Sequence, residues 1–137
     1  MAAPPAPRRP RMTAHRQAVL ELLHRTDHFR SAQQLHFEIR EHRTTRIGLT
    51  TVYRILRALA EQKIAETQRA EDGETLYRLR TNPGHCHYLL CRRCGRAVGF
   101  TAADIELHTS QLAEAHRYAD VTHHIDLYGT CPLCVAV

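Results

Sequence analysis

The sequence of 137 residues predicts an α+β fold, with an N-terminal winged helix-turn-helix followed by a C-terminal α/β unit. Three short helical patterns precede a β-hairpin pattern, two C-x-x-C pairs lie in the C-terminal half, and the positive charge is concentrated in the first 60 residues. We place the domain boundary at a turn-rich hinge, residues 81–84. Residues 13–80 then form the first domain, and residues 85–137 form the second.

The charge distribution points to a polyanion as partner. Residues 1–60 contain eleven Arg against four acidic residues, a net charge of +7, whereas residues 61–137 carry a net charge of −2. A basic half joined to a mildly acidic half rich in Cys and His is typical of a nucleic-acid-binding domain followed by a regulatory one. A basic surface that only confers solubility is the alternative.

The first twelve residues are mainly Pro, Ala and Arg, which cannot build a helix interior, so we predict a flexible basic arm at residues 1–12. Its Arg8, Arg9 and Arg11 can reach a DNA backbone or minor groove, or they belong to a solvated tail without a function. Five cysteines without an apolar leader indicate a reducing, cytoplasmic compartment. No stretch approaches the roughly 18 apolar residues of a membrane span.

Apolar periodicity and capping signals predict three helices in the first domain. Thr13 is expected to cap a helix that ends near His24, and Ser31 with Gln34 fits a capping box for the second helix. Thr50 is expected to cap the third helix, which has the most regular pattern. Its apolar stripe consists of Val52, Ile55, Leu56, Leu59 and Ala60.

The opposite face of the third helix is polar and basic, with Thr51, Tyr53, Arg54 and Arg57. Arg can bind guanine through two hydrogen bonds, and Tyr and Thr can contact phosphate or a thymine methyl, so this face suits the major groove. An ordinary solvated helix face is the alternative. Strand-like runs at residues 64–69 and 74–79 flank a Glu-Asp-Gly turn, which predicts the hairpin, or wing.

In the second domain, residues 85–90, 96–100 and 121–128 have strand patterns. A helix is predicted from Thr101, with Asp104 completing a capping box, to about His116. Four cysteines occur as two C-x-x-C pairs, which lets four thiolates converge on one tetrahedral Zn²⁺: Cys91, Cys94, Cys131 and Cys134. Two disulfides or a thioredoxin-type redox pair fit less well, because no secretory leader precedes the pairs and a redox dithiol needs no second pair.

Histidine spacing predicts a second metal site. His85 and His87 share one face of their strand, and His123 points with the apolar face of its own strand. A histidine on an apolar face is usually only a hydrogen-bonded core residue. With Glu106 one turn into the intervening helix, however, three imidazoles and one carboxylate form a suitable tetrahedral set for Zn²⁺.

Four segments resemble the ferric-uptake regulator family, and most closely its zinc-uptake regulator branch. They are GLTTVYR at residues 48–54, GETLYR at 73–78, HCHYLLCRRC at 85–94 and GTCPLC at 129–134. The resemblance covers nearly all of the chain after residue 12. It implies a homodimeric, metal-activated repressor that binds palindromic operator DNA, with an N-terminal winged helix and a C-terminal α/β dimerisation domain.

Residue by residue, the four paired cysteines match the family's structural zinc site. A regulatory site in the dimerisation domain matches His85, His87, Glu106 and His123. The DNA-reading helix matches Tyr53, Arg54 and Arg57.

The chain departs from the zinc branch at a further regulatory site near the hinge, where the branch uses a carboxylate, a Cys and two His. The matching positions are Glu66, Arg80, Cys86 and Tyr88. Arg cannot bind a cation and Tyr replaces imidazole poorly, so Glu66 and Cys86 remain as candidate ligands, with a histidine such as His28 as a recruit. A lone reactive thiol and a buried small residue are alternatives for Cys86.

Two other function classes stay open. A zinc hydrolase is disfavoured, because no Glu general base adjoins the histidines as in H-E-x-x-H and a four-ligand site leaves no open position. We therefore expect no enzymatic activity. A regulator of the same fold that senses iron, nickel, manganese or peroxide is the closer alternative.

Overall fold

The computed structural model describes residues 2–4, 11–42, 46–81, 84 and 86–136, with only the backbone for Arg11 and Met12. The chain divides into two compact units. The first comprises Met1–Gln68 and Thr75–Arg80, and the second comprises Arg69–Glu74 and Thr81–Val137. None of the described helices is long and apolar enough to cross a membrane.

The first unit contains three helices and a small sheet. The elements are α1 (Arg11–His24), β1 (Arg30–Ser31), α2 (Ala32–His42), α3 (Leu49–Glu61), β2 (Ala65–Arg69) and β3 (Thr75–Leu79). The last residue of β2, Arg69, is grouped with the second unit. The strand order is β1-β3-β2, and β1 pairs antiparallel with β3. This is the predicted winged helix-turn-helix, with one further strand, β1, which is too short to show a periodic pattern in the sequence.

The core of this unit lies between the three helices. The predicted stripe on α3 is buried at Val52, Ile55, Leu56 and Leu59, while Ala60 is half-buried and packs against the same core. Facing side chains come from α1 and α2, including Val19, Leu23, Leu35 and Ile39. The helical period of apolar residues therefore predicted the buried face correctly.

The capping predictions had mixed outcomes. The capping box is confirmed, because Ser31 N donates to Gln34 Oε1 at 2.8 Å and Gln34 N donates to Ser31 Oγ at 3.1 Å. The other two caps were wrong. Helix α1 begins at Arg11, so Thr13 lies inside it, and the last two residues of the predicted arm are helical. Gly48 in extended conformation is the N-cap of α3, one residue before Leu49.

The wing hairpin agrees with the sequence pattern to within one residue at each strand. Its turn requires a glycine, because Gly73 has φ +93°, in the left-handed region. Gly73 N donates to Ala70 O at 2.8 Å, and Asp72 Oδ1 accepts from Glu74 N at 2.9 Å. The Asp72 side chain and the backbone freedom of Gly73 therefore fix the turn locally.

The second unit contains a three-stranded sheet and two helices. Its elements are β4 (His87–Cys91), β5 (Ala97–Phe100), α4 (Ala103–Ala115), β6 (Asp126–Gly129) and α5 (Pro132–Val135). The central strand β4 pairs antiparallel with β5 and parallel with β6. Helix α5 was not predicted, because four residues are too short for a periodic signal.

Two predictions for this unit were wrong. Helix α4 begins at Ala103 after the N-cap Ala102, so Thr101 and Asp104 do not form the expected capping box. Residues 121–125 are irregular, and β6 starts only at Asp126. The alternation of His and apolar residues before Asp126 therefore lies outside the ladder with β4, whose first paired residue is Tyr88.

One face of this sheet is apolar and exposed. Leu89 on β4 is directly paired with Val98 on β5 and with Leu127 on β6, so the three side chains form a row across one face. Their exposed fractions are 44%, 53% and 45%. Adjacent exposed apolar side chains on a sheet typically mark an interaction surface.

Candidate metal centres and nucleic-acid interface

The four paired cysteines converge at one point. Their sulfur atoms all lie within 4.8 Å of one another. Cys91 is the last residue of β4, and Cys94 lies in the turn that follows. Cys131 is the N-cap of α5, and Cys134 lies within that helix. Gly95 completes the turn with φ +81°, and its N–H donates to Cys91 O at 3.1 Å. This tight turn brings both sulfurs of the first pair to the same side.

The sulfur spacing fits a tetrahedral zinc site better than disulfides. Zn–S bonds of about 2.3 Å at tetrahedral angles separate two sulfurs by about 3.8 Å, whereas a disulfide bond is about 2 Å long. Cys94 Sγ lies 3.7 Å from Cys131 Sγ. No disulfide joins any of the five cysteines, all of which lie within the described residues.

The surrounding backbone favours the thiolate form of one cysteine at this site, Cys91. Burial opposes ionisation of Cys91, but backbone N–H groups of Cys131, Cys94 and Arg93 donate to its sulfur and lower its pKa to about 5. A hydrogen bond with Cys131 raises the pKa of Cys134 to about 12. One sulfur thus ionises readily while its neighbour retains its proton, and a bound cation would favour the thiolate form of both.

A second cluster joins three elements of the same unit. His87 lies on β4, Glu106 on α4 and His123 in the irregular segment before β6. Glu106 Oε1 lies 2.8 Å from His87 Nε2 and 2.9 Å from His123 Nε2. The ligand atoms of these three residues lie within 4.8 Å of one another. His85, the fourth predicted ligand, lies outside the described residues.

The donor types in this cluster fit a metal site as well as a hydrogen-bond network. When Nε2 of either histidine donates a hydrogen bond to Glu106, that nitrogen carries a proton. A bound metal would take the place of this proton between the nitrogen and the carboxylate. Tetrahedral zinc separates N and O ligands by about 3.4 Å, so the three groups would need to open by roughly half an ångström. His87 is buried, with 4% of its surface exposed, and its ring contacts those of Phe100 and His123.

The candidate hinge ligands have other contacts. Glu66 Oε1 accepts from Arg78 Nε at 2.5 Å, and both side chains are largely buried. Arg78 also donates to Asp27 O at 3.2 Å and lies 4.4 Å above the Phe29 ring. Sequence reasoning missed Arg78, although its position among the apolar residues of β3 was a signal, because buried arginines need a partner.

Cys86 packs within the second unit. Its Sγ lies 3.4 Å from His87 O and 3.7 Å from Phe100 O, and a Cβ added at Gly99 would come within 2.8 Å of it. Among the described residues, neither Glu66 nor Cys86 belongs to a group of three or more potential metal ligands.

The polar face of α3 has two exposed cations. Arg54 and Arg57 are exposed, whereas Thr51 and Tyr53 are half-buried, and Tyr53 also packs against the core. The first turn of α3 contains no acidic residue, so its positive dipole end is not neutralised locally. Arg8 and Arg9 lie outside the described residues, and the backbone of Arg11 belongs to α1.

Comparison with known proteins gives a consistent result. The model of the ferric uptake regulator family matches residues 8–128. The zinc uptake regulation protein of Mycobacterium tuberculosis is 41% identical over 124 residues, which cover 90% of this chain and 94% of that protein.

Solved structures agree with this match. The crystal structure of FurB from M. tuberculosis, a zinc uptake regulator, has a TM-score of 0.52 at 41% identity and covers 90% of this chain and 95% of that chain. A zinc uptake regulator complexed with zinc and DNA has a TM-score of 0.67 at 30% identity and covers 94% of this chain and 86% of that chain.

Proposed function

Because this chain belongs to the ferric uptake regulator family, we propose that it is a zinc-responsive transcriptional repressor that binds palindromic operator DNA as a homodimer. The single observation that carries this proposal is the convergence of His87, Glu106 and His123 from three elements of the second unit. Such a set can respond to metal, and the first unit has a winged helix-turn-helix that can read DNA. The matched zinc- and DNA-bound regulator supports both halves of the proposal.

Two zinc sites follow from the donor sets. Cys91, Cys94, Cys131 and Cys134 would hold a structural ion, and His87, Glu106 and His123 would hold a regulatory ion together with His85. Zn²⁺ in a closed four-ligand site supplies a cross-link between elements and leaves no open position for catalysis. Imidazole and thiolate ligands favour zinc over the harder metals magnesium, calcium and manganese.

The chain's own residues would couple the regulatory site to its surroundings. His87 belongs to the central strand, Glu106 to α4 and His123 to the segment leading into β6, so shared ligation would fix these elements relative to one another. A state stabilised in this way binds operator more tightly when the metal is present, by linkage. Couplings of this kind are usually about 5- to 150-fold.

Homodimer formation is supported by the exposed row of Leu89, Val98 and Leu127. A second copy with the same row would cover it through a two-fold symmetric interface. Two reader helices related by that symmetry match a palindromic operator.

On DNA, Arg54 and Arg57 would read guanines, and Thr51 and Tyr53 would contact the backbone or a thymine methyl. Arg8, Arg9 and Arg11 would add contacts to the backbone or minor groove. The net charge of +7 in residues 1–60 supports attraction to DNA. A cytoplasmic location follows from this partner, and the proposal assigns no enzymatic activity.

A regulator of the same family that senses iron, nickel, manganese or peroxide is the second candidate. The two are separated by measuring binding of the full-length protein to a palindromic duplex selected in vitro, after stripping the metal and adding back one metal at a time. We expect zinc to restore tight binding at the lowest free concentration. If Fe²⁺, Ni²⁺ or Mn²⁺ restores DNA binding at a lower free concentration than zinc, that metal is the one sensed. DNA binding that no metal affects would refute the proposal.

A further inference from the structure

The two arginines between Cys91 and Cys94 extend toward the second cysteine pair. Arg93 donates from a guanidinium nitrogen to Cys134 O at 3.0 Å. Arg92 donates to Tyr128 O and to Thr130 Oγ1, each at 3.4 Å. Both side chains therefore connect the first C-x-x-C turn with the segment that carries the second.

Backbone groups connect the same two segments. Arg92 N donates to Gly129 O at 2.8 Å, and Cys131 N donates to Cys91 Sγ at 3.3 Å. These hydrogen bonds hold residues 129–131, the start of the segment that carries the second cysteine pair, against the first pair. Cys134 lies three residues further on, inside α5.

Helix α5 has little apolar packing to hold it. It has four residues, none of them buried, and Leu133 and Val135 are 72% and 68% exposed. Its backbone bonds, such as Val135 N to Cys131 O at 2.9 Å, are internal to the turn. A short exposed turn of this kind opens easily unless a tertiary contact holds it.

From these contacts we infer that Arg93 is a positioning residue for the four-cysteine site, which holds Cys134 in place and so slows release of the structural metal. The hydrogen bond acts on the carbonyl of Cys134 itself, so it resists the opening of α5 that would carry that sulfur away. This inference rests on the proposed zinc binding by the four cysteines but not on DNA binding.

The test measures metal release from the full-length Co²⁺-substituted protein. Its thiolate-to-cobalt absorption reports the four-cysteine site alone, because histidine and carboxylate ligands give no such band. The rate of cobalt release is followed after adding excess chelator. Alkylation of Cys134, detected by mass spectrometry, reports when its sulfur is released from the metal. Arg96→Ala is the matched control: it removes the same charge immediately after the same turn, and within the described residues the Arg96 side chain makes no hydrogen bond.

We expect Arg93→Ala to release cobalt about three- to tenfold faster than the native protein, the effect of losing one charge-assisted hydrogen bond at an exposed site. Arg96→Ala should stay within about twofold of the native rate, since it loses no such bond. Equal rates for Arg93→Ala and the native protein would overturn the inference. Equal acceleration in both variants would also overturn it, because charge and not the contact would then explain the effect.

A second pair of variants covers the case in which Arg93→Ala does not fold. Lysine keeps the charge but lacks the planar fork of arginine, so its hydrogen bond to Cys134 O is weaker. Arg93→Lys should release cobalt faster than Arg96→Lys. Equal release from these two variants would refute the role of Arg93. Operator binding enters neither comparison, so failure of the proposed repressor function would be seen separately.

Discussion

His123 Nε2 and Glu106 Oε1 lie 2.9 Å apart although the two residues are separated by 17 positions and His123 belongs to no strand or helix. The contact fixes an irregular segment against α4. The same carboxylate oxygen also contacts His87, so one atom links three elements of the second unit.

Replacing His123 by Ala should remove most of the zinc dependence of operator binding, because one ligand of the regulatory site is lost. We expect the ratio of affinities with and without zinc to fall from the usual range of about 5- to 150-fold to nearly one. Fluorescence anisotropy with a labelled operator measures both affinities. His124→Ala, at the adjacent exposed position, is the control and should keep the native ratio. A zinc response that survives in His123→Ala would exclude this residue from sensing.

Replacing Arg57 by Ala should weaken operator binding about tenfold or more without changing zinc content. The guanidinium is exposed on α3, and a bidentate contact to guanine contributes about 1–3 kcal/mol. Binding is measured on native and base-substituted operators, and zinc by atomic absorption. Arg117→Ala removes the same charge from the second unit and should have a smaller effect. Loss of zinc from Arg57→Ala would indicate misfolding instead of a lost DNA contact.

Removal of the structural metal should unfold the sheet of the second unit while the first unit stays folded. Within the described chain no residue of α4 or α5 is buried, so few apolar contacts remain to replace thiolate–metal bonds. In Cys94→Ser we expect hydrogen-exchange protection of β4 to fall at least about 100-fold, with α3 unchanged. Equal protection of β4 in variant and native protein would show that the four-cysteine site is not structural.

Zinc binding by the four cysteines should release fewer than four protons at pH 7. Burial opposes ionisation of Cys91, but its backbone hydrogen bonds lower the pKa to about 5, so this thiol has already lost its proton at pH 7. At most about three protons then remain to be displaced. Below pH 5 Cys91 is also protonated, so zinc affinity should fall more steeply there. Calorimetry in buffers of different ionisation enthalpy counts the protons, and a count of four would contradict the prediction.

Replacing Glu66 by Ala should reduce stability while leaving metal content unchanged. Its carboxylate pairs with Arg78, whose side chain is 7% exposed, and breaking a buried pair from one side costs about 3–5 kcal/mol. Denaturant unfolding measures the loss. Arg78→Met in the same chain should recover part of it, because no unpaired charge is left. A lost metal ion in Glu66→Ala would instead make Glu66 a ligand.

Periodic features of the sequence predicted the periodic parts of the structure. The stripe around Leu56 on α3, the capping box at Ser31 and the hairpin at Gly73 depend on neighbours within a few residues, so local patterns were sufficient. Cap positions at Thr13, Thr50 and Thr101 were wrong because several residue types near each helix start can serve as N-cap, including glycine. The choice depends on where packing begins.

Contacts between distant segments were harder to predict. The cysteine and histidine groups could be proposed because metal ligands form a small chemical set with recognisable spacing. The partner of Glu66 could not be found in this way, because nothing local indicates that Arg78 faces it. The same holds for Arg93 and Cys134. The strand predicted at residues 121–128 is present only from Asp126 onward, because pairing to β4 begins at that residue.

Parallel pairing of β4 with β6 has a consequence for biosynthesis. Strand β4 can complete its pairing only when β6, the last strand in the chain, has been synthesised. Cys131 and Cys134 come after β6. The first unit can fold while translation continues, because its three helices are synthesised before the second unit. Zinc loading of the four-cysteine site therefore follows synthesis of Cys134. A nascent chain stalled earlier would contain the DNA-reading helix α3 without a completed second unit.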